Sequence, residues 1–256
     1  MEEQTEEIAL SAPPKPPRPA AAPRAPARVK KALRLAAWTG LIVFLGSVAW
    51  AGLYRFAPPP GTFLMVDRKL SGDVIIHPWT PLDDISPHLV TAVIAAEDTR
   101  FCLHKGIDMQ AIEKAVSESK NGGRMRGAST ISQQTAKNAF LWAHRSWIRK
   151  GGEAWMTVVI EALWPKRRIM EVYLNIAEWG DGLFGAEAAA QARFGKSAKN
   201  LTKDEAALLA AVLPNPWKWR VDPPGPYVRE RAYTIRARMD QVKRDRLDAC
   251  VLIPGF

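Results

Sequence analysis

From Ala36 to Tyr54 the chain reads AAWTGLIVFLGSVAWAGLY, an uncharged run bracketed by Arg34 and Arg55. At about 1.5 Å rise per residue, a helix over this run roughly matches the ~30 Å hydrocarbon core of a bilayer. Trp38, Trp50 and Tyr54 stand near its ends, where interfacial aromatics belong. The run predicts a transmembrane anchor over residues 33–55. Arg24, Arg28, Lys30, Lys31 and Arg34 precede it, a bias that predicts a cytoplasmic N-terminus and sends everything after Arg55 across the membrane. A cleaved signal peptide would have a shorter apolar core and no long tail before it. That tail, residues 1–32, begins acidic and then carries seven prolines between Ser11 and Pro26. It cannot bury a core and is predicted to be a solvated, disordered segment.

The rest of the 256 residues can form one sizeable domain. The formal net charge is +10, of which the first 35 residues carry +3. A basic chain suits an anionic membrane surface, a phosphorylated substrate or nucleic acid. The predicted place beyond the membrane argues against nucleic acid. Two distant cysteines, Cys102 and Cys250, allow one disulfide but make no disulfide scaffold. Neither they nor the four unpaired histidines have the spacing of a metal site.

Thr62–Val66 and Val74–Ile76 read as short strands. From Ser86 onward the pattern is helical. Ser86-Pro87 is an N-cap followed by proline at the first helical position, Asp108 caps a helix from Met109 that fades at Lys120–Gly123, and one helix starts near Ser129-Thr130. Others are expected over Glu153–Trp164, Arg167–Glu178 and Ala186–Phe194, and a capping box at Thr202–Glu205 opens the last. The fold class is mainly α, with the domain over residues 56–240 and a C-terminal extension over 241–256.

Val90, Val93 and Ile94 share a helix face on which Glu97 also lies, while Asp98 is turned away. A carboxylate on a buried face has its charged form disfavoured, which raises its pKa towards the range of a general base. A solvated Glu97 paired with Arg100 is the plainer alternative. Further along, Gly127-Ala128 leads into Ser129, Thr130 and Ser132 at a helix N-terminus, an arrangement that suits an anion or, equally, a capped helix with a polar surface. Thr130, Gln134 and Lys137 are spaced to extend such a site along one face. Arg149, Lys150 and Glu153 set two cations beside a carboxylate, and the runs Lys166–Asn175 and Gly185–Lys196 are as unusual for a plain helical domain.

Together with Glu97–Gly106, these blocks resemble, in order and spacing, the glycosyltransferase module of peptidoglycan synthases, family 51, over roughly residues 60–235. With the chain ending at Phe256, no transpeptidase domain is expected after it, which is similar to the monofunctional members of the family. The resemblance implies a lysozyme-like head lobe and a smaller membrane-associated jaw lobe. It implies that lipid II and the nascent glycan strand are the substrates, joined with inversion to a β-1,4 link. Glu97 then matches the general base, and Glu153 a second essential carboxylate that orients cations or a metal. Lys137, Arg149 and Lys150 match positions suited to stabilising the pyrophosphate, with Mg²⁺ or Mn²⁺ as a non-obligatory helper. Asp98, His104, Ser129, Thr130 and Gln134 would line and brace the cleft. Glu171 would pair with Lys166 or Arg167 or act directly. Phe140–Ile148, apolar and aromatic with neighbouring cations, suits a jaw dipping into the membrane interface. Other cell-wall synthases or division proteins are conceivable partners. A lytic enzyme would also use one Glu but has no need of the cations. An inactive scaffold has no physical reason to keep a desolvated carboxylate.

Overall fold

The computed structural model describes residues 27–120 and 129–253. Most of the proline-rich tail, the Asn121–Gly123 helix end and the Gly127-Ala128 lead-in lie outside them. Helix α1 (Ala27–Phe56) starts before residue 33, through Ala27, Val29, Lys30 and Lys31. Among the described residues it alone is long and apolar enough to cross a membrane. The chain divides after Phe44. In the first unit the side chains of α1 are exposed from Arg28 to Phe44. The second unit, from Leu45, is the mainly helical domain expected.

The stretch expected as a first strand is instead α2 (Phe63–Leu70). Thr62 supplies the reason, its hydroxyl accepting the Met65 amide at 3.1 Å and nucleating a helical turn. Of the second expected strand only Ile76 pairs, bridging to Leu183. Leu183 belongs to a small antiparallel hairpin, β1 (Glu178–Gly180) and β2 (Leu183–Phe184). Gly182 sits in its turn at φ +71°, where a Cβ would meet the Val74 carbonyl oxygen at 2.2 Å.

Helix α3 (Pro87–Glu97) has its Ser86 cap and first-position proline as expected. It is buried on all sides, however, with Leu89, Val90, Ala92, Val93 and Ile94 fully enclosed. A helix apolar all round belongs in the centre of a core. Around it, α4 (Met109–Lys120) follows the Asp108 cap, and α5 (Ile131–Phe140) opens on a capping box between Thr130 and Gln133. Helix α6 (Trp147–Leu163) begins six positions before the expected Glu153, capped by Ser146. Its Gly151-Gly152 pair lies inside the helix rather than before it. A Cβ at Gly152 would meet Leu141 at 3.3 Å, so the glycine permits α6 to close on the end of α5.

Helix α7 (Lys166–Ile176) places Asn175 in the core, exchanging hydrogen bonds of 2.8 and 2.9 Å with the Thr80 backbone. Glu171 pairs with Arg168, not with Lys166 or Arg167, and accepts the Leu82 amide at 3.1 Å. Helices α8 (Ala186–Phe194) and α9 (Lys203–Val212) follow as the sequence indicates, α9 with its capping box. Then come α10 (Pro226–Arg244) and the short α11 (Ala249–Leu252). Helices α3, α9 and α10 pack against one another. Helix α10 runs through residue 240, and Val242 and Val251 lie in the same core as α3.

Cys102 and Cys250 are disulfide-bonded, tying the loop after Glu97 to α11 across 148 residues of chain. Asp248, just before α11, accepts the Thr91 hydroxyl of α3 at 2.8 Å. Closing so long a loop restricts the unfolded chain, and loss of a native disulfide typically costs about 2–5 kcal/mol. Reductant, or Cys250→Ser, is expected to lower unfolding stability by that amount in chemical denaturation. An unchanged midpoint would show that the bond carries no stability.

Candidate active site

Helix α3 ends on Glu97, whose side chain keeps only 14% of its surface exposed. Gln134 of α5 donates from Nε2 to Glu97 Oε2 at 3.0 Å. Arg231 of α10 approaches Oε1 at 3.7 Å. Arg100, the partner of the plainer reading, pairs instead with Asp108 at 3.2 Å. Burial pushes the Glu97 pKa above its ordinary value, an effect the Gln134 hydrogen bond and Arg231 oppose. The Tyr173 hydroxyl donates to Gln134 Oε1 at 3.4 Å, which orients the amide so that its NH₂ faces Glu97. Burial, with Glu97 and Asp98 nearby, raises the Tyr173 pKa well above normal and keeps it a donor.

Asp98 braces the loops. It accepts His104 Nε2 at 3.0 Å and the Ile131 amide at 3.0 Å. His104 Nδ1 accepts the Gly106 amide at 3.1 Å, so Nε2 carries the proton shared with Asp98. Thr130 donates to the Gly106 carbonyl at 2.6 Å, and its oxygen accepts the Gln133 amide. These bonds correct the anion-site reading of the α5 N-terminus. At least two of its free amides are taken, one by Thr130 and one by the protein's own Asp98.

Two cavities meet around this point. One of about 590 Å³ is lined by Glu97, Asp98, Ser129, Thr130 and residues of α4, with Arg238. The other, about 440 Å³, is lined by Ser129, Gln134, Lys137, Arg149, Lys150 and Glu153 among others. Ser129 borders both, and Gln134 reaches from the second to the carboxylate in the first. Four cations, Lys137, Arg145, Arg149 and Lys150, face the second cavity against one carboxylate, Glu153. Glu153 holds Arg149 at 3.1 Å and Lys150 at 2.5 Å, as i,i+4 and i,i+3 neighbours on α6. Burial lowers the Lys137 pKa; Glu153 opposes this, while Arg149, Lys150 and Arg145 add to it. Such a cavity is short of negative charge. All ten residues singled out from the sequence thus lie in or directly brace these two adjoining cavities.

A model of the transglycosylase family matches residues 69–240. A biosynthetic peptidoglycan transglycosylase of Rhodospirillum centenum is 59% identical over 217 residues, covering 84% of this chain and 93% of the relative. One from Caulobacter vibrioides is 53% identical, covering 82% and 92%, and one from Pseudomonas aeruginosa 51%, covering 78% and 88%. The chain belongs to the transglycosylase family. It is a glycosyltransferase of peptidoglycan synthesis with the mainly helical, lysozyme-like fold.

Two members of this transglycosylase site escape a reading of the motifs. Tyr173 shares an apolar side of its helix with Ile169, Met170 and Leu174, where nothing in the sequence marks its hydroxyl. Arg231 lies in a helix whose stripe of Val228, Ala232, Ile235, Met239 and Val242 has clear helical spacing and could have placed it. A divalent ion finds no ready cage among the described residues. Glu153 is engaged by two cations, and His104 in the Asp98–His104–Asp108 group offers no free lone pair.

A general base works deprotonated, so its pKa sets the acidic limb of the pH–rate profile. For Glu97 that limb is expected above the ordinary 4.5 of a glutamate. Arg231→Gln removes a charge that favours the carboxylate, so the limb of kcat/KM should move to still higher pH, with activity recovering as pH rises. A limb that stays in place or moves down would remove Arg231 from this role.

Proposed function

We propose that the chain polymerises lipid II, with Glu97 as the general base. The observation that carries this reading is a desolvated carboxylate beside a cavity with three more positive than negative side chains. The growing glycan would lie with its diphosphate among Lys137, Arg149 and Lys150. Glu97 takes the proton of the acceptor 4-hydroxyl as that oxygen bonds to the donor C1. The C1–O bond to phosphate breaks from the opposite side, giving the inverted β-1,4 link, and polyprenyl diphosphate leaves with the electron pair. A diphosphate is a good leaving group whose charge fixed cations stabilise, so no proton donor is required. Its arrival also supplies the negative charge that the buried Lys137 lacks. Glu153 serves by aiming Arg149 and Lys150, and Gln134 and Arg231 by aiming Glu97.

The anchor, with its basic N-terminal flank, supports a cytoplasmic N-terminus and a periplasmic domain. Trp147 is 92% and Ile148 80% exposed at the start of α6, which supports contact between this segment and the membrane surface.

Polymerisation of purified lipid II by the detergent-solubilised chain tests the reading. Wild type should yield glycan and polyprenyl diphosphate. Glu97→Gln should lose at least about 100-fold in rate, with a melting temperature no lower than wild type because it removes a buried charge. Lys137→Gln should lose roughly 10²–10³-fold, the usual cost of removing one charge-stabilising donor. Polymer from Glu97→Gln at the wild-type rate would sink the mechanism. Cleavage of preformed glycan by the wild type, without polymer, would favour a lytic enzyme.

A further inference from the structure

The 440 Å³ cavity has apolar as well as cationic lining. Opposed in character to its cations are Leu64 of α2, Leu141 and Trp142 after α5, and Trp217 after α9. Trp217 is 60% exposed, yet its ring is held in place. The Arg68 guanidinium lies 4.3 Å from the ring centroid, and Glu178 accepts the indole N–H. Arg68 is itself fixed by Asp73 at 2.8 Å, by Glu178 at 3.3 Å and by Asp181. A lone exposed aromatic is ordinary. One held by Glu178 and by a guanidinium that carboxylates fix in turn, at the edge of a cationic cavity, is a ready-made binding surface, because little freedom remains to be lost on binding.

The attached chemistry selects its ligand. A diphosphate seated on the cations bears a sugar on one side and a polyprenyl chain on the other. Sugar hydroxyls need polar partners, and Ser129 and Gln134 provide them towards Glu97. Leu64 and Leu141 instead follow Phe63 and Phe140, whose rings lie 6.5 and 5.2 Å from that of Trp50 near the end of α1. Two apolar residues of the cavity thus adjoin, along the chain, members of the aromatic cluster at the end of α1.

Resting on the function proposed above, we propose that Trp217, with Leu64, Leu141 and Trp142, takes the first isoprene units next to the diphosphate. The pair of surfaces then reads a prenylated diphosphate as one unit, and Trp217 is a specificity-determining residue.

The test compares binding of farnesyl diphosphate and inorganic diphosphate to the detergent-solubilised full chain by calorimetry. The wild type should bind the farnesyl compound at least about tenfold more tightly, as burial of a few apolar groups on an aromatic wall implies. In Trp217→Ala the advantage should fall to about threefold or less, while Trp217→Phe, which keeps an apolar ring, should retain most of it. Unchanged affinity for inorganic diphosphate marks a variant as folded, and Trp142→Ala carries the same test should Trp217→Ala fail that check. Equal affinities in the wild type, or an advantage that survives the alanine substitution, overturn the proposal. Polymerisation of lipid II is scored separately: its absence counts against the proposed function, and the diphosphate comparison still decides this inference.

Discussion

Burial of Glu97 at the end of a helix with no solvent face is the constraint from which the rest of the site follows. An ionised carboxylate there is costly unless hydrogen bonds and charge approach it. The protein supplies a modest amount of both, one amide at 3.0 Å and one guanidinium at 3.7 Å. A closer arginine would hold the carboxylate firmly ionised and weaken it as a base. No support at all would leave it protonated. The apolar packing of α3 between α9 and α10 fixes the position, because α10 both encloses the helix and carries Arg231. The disulfide and the Thr91–Asp248 bond then secure the loop and the helix on either side of Glu97 to the C-terminal segment.

The same economy governs the opposite charge. Lys137 lies one helical turn beyond Gln134 on α5, near enough to influence Glu97 but not paired with it. Direct pairing would neutralise the carboxylate and the buried ammonium together. Gln134 separates them as a neutral spacer, held by Tyr173, and Glu153 restrains Arg149 and Lys150 on the far side. Asp98 illustrates the alternative fate of a carboxylate in the same loop. Its acceptors are taken by His104 and by the α5 N-terminus, so it fixes geometry, while its neighbour Glu97 lines the cavity.

What could be read from the sequence was local. The i,i+3,i+4 relation of Val93, Ile94 and Glu97, the caps at Ser86, Asp108, Thr130 and Thr202, and the cation–carboxylate spacing on α6 all lie within a turn or two of helix. Thr62–Val66 was ambiguous because a short apolar run fits either period, and a single threonine cap decided it. A helix expected only from Glu153 misses the turns before it, because the contact of Gly152 with Leu141, which makes glycine useful inside α6, is tertiary. The anion-site reading failed for a similar reason, since nothing near Thr130 in sequence announces that Asp98 will occupy the helix end. Arg231 was beyond motif reading because its partner is brought to it only by the packing of α10 on α3.

The last turns of α1, from Leu45 onward, are part of the second unit itself. Ala51 and Tyr54 belong to the core of that unit, and Tyr54 stacks on Phe140 at 5.5 Å. Trp164 donates to the Ala51 carbonyl at 2.8 Å, while Arg168 caps the Tyr54 and Ala57 carbonyls that the end of the helix leaves free. Phe140 is the last residue of the helix that presents Gln134 and Lys137, and Arg168 opens the helix that presents Tyr173. The final turns of α1 therefore help set the two helices from which the site is built.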